Sequence, residues 1–175
     1  MVKLYPGGKG SGHLHSMKPG DKLTFLPVPG FKWTPNKHEH VALIAGGAGI
    51  TPMYQLARGI LKNPDDHTRV TLVWGVNTDE DIFLGEQFSE LEKKYPSRFK
   101  AVYVVASPDV SSPHHKGFVT KQILEGAGLN AKSEKNKDIK VLLCGPDPML
   151  NTLAPKKGTG VLNELGYNSS QIFKF

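Results

Sequence analysis

The chain has 175 residues, 38% of them hydrophobic and 22% charged, and a net charge of +6. That length supports one domain with a real core, or one domain plus a fragment of another, and the composition excludes a disordered chain. No apolar run approaches the ~20 residues of a membrane-spanning helix, and the single cysteine, Cys144, excludes an internal disulfide and a multi-cysteine metal site.

The opening Met1-Val2-Lys3-Leu4-Tyr5-Pro6 reaches proline and glycine too soon for a signal peptide. Any membrane anchor is therefore expected upstream, and no membrane contact is expected from this segment. Next comes a glycine-rich loop, Tyr5-Pro6-Gly7-Gly8-Lys9-Gly10-Ser11-Gly12. Ser11 is expected to cap a short helix over 13–17. Residues 22–26 read as a strand, and Pro27, Pro29 and Gly30 then break the pattern. A boundary is expected near 30–38, dividing the chain into 1–36 and 37–175.

From His40 the texture changes. Val41-Ala42-Leu43-Ile44-Ala45 is a continuous apolar run ending at Gly46-Gly47, as suits a strand buried on both faces. A helix is predicted to follow, with Thr51 as N-cap, Pro52 at its first position, and one apolar face made by Met53, Leu56, Ala57, Ile60 and Leu61. Strands are predicted at 70–76, 100–106, 139–143 and 171–175. Helices are predicted at 86–95 (with Glu90 set to reach Lys94), from Thr120, and from an Asp147-Pro148 cap. Alternating strands and helices predict an α/β fold with a doubly wound parallel sheet of five strands. Right-handed crossovers then bring every strand's C-terminal end to one edge, where ligands bind.

Three motifs carry the chemistry. Ala45-Gly46-Gly47-Ala48-Gly49-Ile50-Thr51-Pro52 lies where a strand becomes a helix. Glycines let backbone approach a ligand closely, and a helix N-terminus favours a pyrophosphate; the same residues also suit a plain strand–helix turn. Leu143-Cys144-Gly145-Pro146-Asp147-Pro148-Met149 falls on the same edge, where the thiol could pack beside a nicotinamide ring or simply fill a core. Gly7-Gly8-Lys9-Gly10-Ser11 has the makings of an anion-binding nest, or of a flexible loop. The lysines occur in short pairs such as Lys93-Lys94 and Lys156-Lys157, so no nucleic-acid partner is expected. The seven histidines show no metal-ligand spacing, and no Gly-x-Ser-x-Gly elbow marks a hydrolase.

Together, Gly-Gly-x-Gly-Ile-Thr-Pro-Met at 46–53, Cys-Gly-Pro-x-Pro-Met at 144–149 and Tyr-Pro-Gly-Gly-Lys-x-Ser at 5–11 resemble the signature blocks of the ferredoxin–NADP reductase superfamily. Within it the chain resembles the NADH-cytochrome b5 reductases, most of all their fungal mitochondrial form. Asn63-Pro64-Asp65-Asp66-His67-Thr68, Asp79-Glu80-Asp81-Ile82-Phe83-Leu84 and the ending Ile172-Phe173-Lys174-Phe175 strengthen the likeness. Gly10 and Asp147 depart from its familiar pattern, which has a larger residue and a proline there.

The resemblance implies hydride transfer from NADH to FAD, then single electrons to the haem of cytochrome b5. It implies that Gly8, Lys9, Gly10 and Ser11 hold the FAD pyrophosphate, and that residues 1–36 are the end of a flavin-binding β-barrel. Thr51 would touch the flavin. Gly46, Gly47, Gly49, Ile50 and Pro52 would form the NADH loop. Cys144, Gly145, Pro146 and Met149 would lie beside the nicotinamide, and Phe175 would be a further cofactor-binding residue. Asp81 would select NADH, since a carboxylate repels a 2′-phosphate and accepts from a free ribose hydroxyl. An Arg-x-Tyr-Ser/Thr flavin block is expected upstream of Tyr5, so retention of FAD by this chain alone is not expected. Location is implied at the mitochondrial outer membrane or intermembrane space, or alternatively the endoplasmic reticulum. A non-catalytic nucleotide-binding module, or the reductase module of nitrate reductase or another flavohaem enzyme, are the other readings.

Overall fold

In the computed structural model, the apolar run at 41–45 becomes the middle of β1, His40–Gly46, every residue of which is buried. Residues 2–26, 30–133, 138–156 and 158–175 are described. The expected break at Pro27 and Pro29, and Lys157 of the second lysine pair, lie outside them. Among the described residues no helix is long and apolar enough to cross a membrane.

The chain divides into two units, Met1–Lys32 and Trp33–Phe175. Among its described residues the first contains one helix, α1, Lys9–Ser16, capped by Gly8. Ser11 therefore lies inside the helix rather than capping it. Its hydroxyl accepts from the Tyr5 N–H at 3.2 Å and donates to the Gly8 carbonyl at 3.4 Å. The expected strand at 22–26 does not form. A strand exists only beside a hydrogen-bonding neighbour, and none lies there among the described residues.

In the second unit β1 is followed by α2, Ile50–Lys62; β2, Arg69–Val76; α3, Gly85–Lys94; and β3, Phe99–Val105. Then come β4, His115–Lys116; α4, Lys121–Gly126; β5, Ile139–Cys144; α5, Asp147–Leu153; α6, Val161–Glu164; and β6, Ile172–Lys174. The sheet runs β4-β3-β2-β1-β5-β6 with every pairing parallel. It has six strands rather than five, because β4 is only two residues long and too short to leave a sequence pattern. Successive strands run outward from β1 to β4, and the chain then returns to β1's other side as β5 and β6. The order therefore reverses between β1 and β5, and in open α/β sheets ligands bind at such a switch point, outside the strands' C-terminal ends.

Both sheet faces are covered. On one, Met53, Ala57, Ile60 and Leu61 of α2 and Phe88 and Leu91 of α3 are buried. On the other, Ala42, Ile44, Val141 and Leu143 pack with Leu124, Leu153, Leu162 and Tyr167. Glu90 makes no ion pair with Lys94, whose ammonium lies over the Tyr95 ring instead, 5.4 Å from its centroid. The Tyr167 hydroxyl is buried without a hydrogen-bond partner. Since an unpaired buried hydroxyl costs free energy, Tyr167→Phe is expected to raise stability by about 1 kcal/mol, read from urea midpoints.

The strap that leads into β1 belongs to this unit because Asp66 holds it. Asp66 is fully buried. It accepts from the Trp33 indole at 2.7 Å, the Thr68 N–H at 3.1 Å and the Asn36 N–H at 3.4 Å.

Candidate nucleotide site

The site grows from the ends of β1 and β5. Ala45 and Cys144 are register partners across these strands. A 3-10 turn, Gly47–Gly49, leads from β1 directly into α2. Gly49 is therefore the N-cap of α2, and Ile50, Thr51 and Pro52 occupy its first turn. This corrects the expected cap at Thr51 and first position at Pro52. The Thr51 hydroxyl instead donates to the Ala48 carbonyl at 3.1 Å. Likewise Pro146 caps α5, while Asp147 and Pro148 are its first two residues.

The glycines have separate jobs. A Cβ on Gly49 would overlap the Cys144 carbonyl. One on Gly46 would come within 2.6 Å of the Met149 sulfur and 2.8 Å of Pro146. One on Gly145 would be 3.1 Å from the Gly46 backbone. These three let the two motif loops press together. Gly47 differs: its φ is +51 and its Cβ position is open. Here the turn itself requires glycine and leaves the backbone approachable.

Electrostatics distinguish the two helix N-termini that meet here. No acidic residue lies in the first turn of α2, so the positive partial charge of its N-terminus is not offset and favours an anion. The first turn of α5 already carries Asp147. A pyrophosphate is better served at α2. Cys144 is half-buried, and burial pushes its thiol pKa up. It is a protonated, uncharged group, suited to lying against a ring rather than to nucleophilic attack. Phe175 follows β6, its N–H bound to the Leu143 carbonyl at 3.0 Å, which sets it beside the end of β5.

Asp81 lies in a second 3-10 turn, Asp79–Asp81, after β2. Its carboxylate accepts from the Thr78 N–H at 3.1 Å and hydroxyl at 3.3 Å, fixing the turn. Asp79 went unmarked among the expected site residues. It accepts from the Ser112 hydroxyl at 2.6 Å and the Asp109 N–H at 2.7 Å, which hold its carboxyl below the usual range. It ties this turn to the β3–β4 connection. Its position within a run of three acids gave no sign of that partnership. Phe83, also unmarked, is 52% exposed beside the turn.

Thus the structure brings Gly46, Gly47, Gly49, Ile50, Thr51 and Pro52 together with Cys144, Gly145, Pro146 and Met149. Gly8, Lys9, Gly10 and Ser11 lie in the other unit, in and before the first turn of α1. Gly7 there has φ +72, Gly8 has no side chain to cover the turn, and no acid occupies it. That arrangement leaves the turn open to an anionic group such as a phosphate.

Comparison with known proteins agrees with this geometry. The family model for the oxidoreductase NAD-binding domain matches residues 43–154. The chain belongs to that family. It is 48% identical to NADH-cytochrome b5 reductase 2 of Aspergillus clavatus, across the whole chain and 56% of that protein. It is 47% identical to the same-named protein of Botryotinia fuckeliana, across the whole chain and 52% of that protein. The chain therefore spans little more than half the length of these relatives. Among solved structures, the cytochrome b5 reductase domain of Ulva prolifera nitrate reductase superposes with a TM-score of 0.82 at 28% identity, covering all of this chain and 70% of that one.

Proposed function

We propose that the Trp33–Phe175 unit binds NADH and that the longer protein to which the chain corresponds is a flavin-dependent NADH oxidoreductase with cytochrome b5 as its electron acceptor. The observation that carries this is the meeting of two glycine loops, at 46–49 and 144–146, across the β1–β5 switch point beside the acid-free first turn of α2. The names of the similar fungal proteins support the acceptor, and a mitochondrial location is proposed with it. The Met1–Lys32 unit would contribute Gly8, Lys9 and Ser11 to the FAD phosphate site. Bound FAD supplies a hydride acceptor that can release electrons singly.

What the chain's own residues do is orient and exclude. The Gly47–Gly49 turn holds the pyrophosphate on backbone N–H groups. Cys144 and Gly145 give the nicotinamide a flat, uncharged wall. Thr51, at the start of α2, is the residue assigned to touch the flavin. No residue of this chain would be required as general acid or base, because the bound flavin would supply the redox chemistry. Asp81 discriminates against a 2′-phosphate by charge.

The test is nucleotide selectivity. Titrated by calorimetry, the chain is expected to bind NADH at least tenfold more tightly than NADPH, about 1.4 kcal/mol. Asp81→Asn keeps an acceptor for Thr78 but loses the charge, so it should narrow the gap, as should Asp81→Thr. Equal wild-type affinities would sink the assignment of Asp81.

A further inference from the structure

Trp74 sits at the middle of this edge, and none of the roles above uses it. It is fully buried on β2, in register with Ala45 of β1 and Tyr103 of β3. A buried indole N–H needs an acceptor. Trp74 finds the Gly47 carbonyl, at 3.0 Å. The Ile50 N–H converges on the same oxygen.

The consequence lies on the other side of that peptide. In a trans peptide the carbonyl and the N–H point in opposite directions. Holding the Gly47 oxygen inward turns the Ala48 N–H outward. Gly47 is in the left-handed region with open space at its Cβ position, so no side chain of its own restrains the turn. The same indole meets Phe83 edge-on, with centroids 5.4 Å apart and planes at 87°. One buried ring thus touches both the glycine turn and the segment that follows the acidic turn. Phenylalanine would fill much of this space, but only tryptophan donates.

We propose that Trp74 is a positioning residue for nucleotide binding: its indole N–H fixes the Gly47–Ala48 peptide so that the Ala48 N–H is aimed at the anionic pyrophosphate. The proposal rests on the NADH-binding reading above. It assigns Trp74 no contact with the nucleotide.

The experiment uses the 175-residue chain with NADH and ADP-ribose as probes, titrated by calorimetry beside thermal melts. Trp74→Phe keeps an aromatic ring and loses the donor. A second variant places benzothienylalanine at 74, which keeps the shape of the indole and lacks only the N–H. Both are expected to raise Kd for NADH and ADP-ribose about tenfold. The benzothienyl variant is expected to melt with the wild type, and its Ala48 amide resonance should lose the shift that ADP-ribose produces in the wild type. A purely structural Trp74 predicts the opposite split, a lower melting temperature with Kd unchanged. Unchanged affinity in the benzothienyl variant overturns the proposal. A wild-type chain that binds neither probe overturns the underlying reading first, so the two failures are distinguishable.

Discussion

Gly49→Ala is expected to abolish nucleotide binding and lower the melting temperature by roughly 6–12 °C, corresponding to about 3 kcal/mol. The added Cβ would overlap the Cys144 carbonyl and crowd the Gly145 nitrogen. Both are backbone, so no flexible side chain can swing aside. Relief requires β1 and β5 to part at their C-terminal ends, where the two glycine loops converge. Gly47→Ala is the informative contrast. Its Cβ position is open, so only the left-handed backbone is penalised, at about 1–2 kcal/mol. Gly49→Ala should therefore cost more stability than Gly47→Ala, while both weaken NADH binding. Thermal melts and calorimetric titration of the two variants check the order. The reverse ranking would show that the loops are not pressed together as described.

The second large effect is expected at Asp66. Burial pushes its carboxyl pKa up, but hydrogen bonds from Trp33, Thr68 and Asn36 outweigh this and leave it below its ordinary value. Asp66→Asn sets an amide N–H against one of these donors, at an expected cost of about 2–3 kcal/mol. The sign of the pH effect follows from the lowered pKa. An unfolded aspartate titrates near ~3.9, so this stabilisation is fully present above about pH 4 and is lost as pH falls through the folded value. Wild type should thus lose stability on acidification more steeply than Asp66→Asn. Urea midpoints from pH 7 down to pH 3 measure both the offset and the slope. Parallel curves would mean that the carboxylate is not the group holding the strap.

Much of this was legible in the residues. The runs at 41–45, 70–76 and 139–143 announce buried parallel strands because two covered faces leave no place for polar alternation. The apolar stripe of α2 follows from 3.6-residue spacing, and four of its five expected members are buried. The caps were less legible. A threonine followed by proline reads as an N-cap and first helical position, yet the 3-10 turn Gly47–Gly49 feeds straight into α2 and passes the cap to Gly49. Tertiary geometry decided it, since only glycine fits against Cys144. Ser11 shows the same limit, its hydroxyl being drawn back to Tyr5 and Gly8. The role of Trp74 was invisible because it reads as one more apolar residue of a strand. Its meaning depends on an acceptor 27 residues away in the chain.

Chemical-shift mapping of the backbone amides during titration with NAD+ is the most direct measurement of where the nucleotide lies. The expected result is that the largest shifts fall on Gly47, Ala48, Gly49, Ile50 and Gly145, with a second group from Thr78 to Phe83. A separate groove of about 520 Å³ lies at the outer edge of the sheet, lined by Lys100, Tyr103, His114, His115 and Gln122. Shifts confined to that groove, with the Gly47–Ile50 amides unmoved, would contradict the assignment of the β1–β5 edge as the nucleotide site.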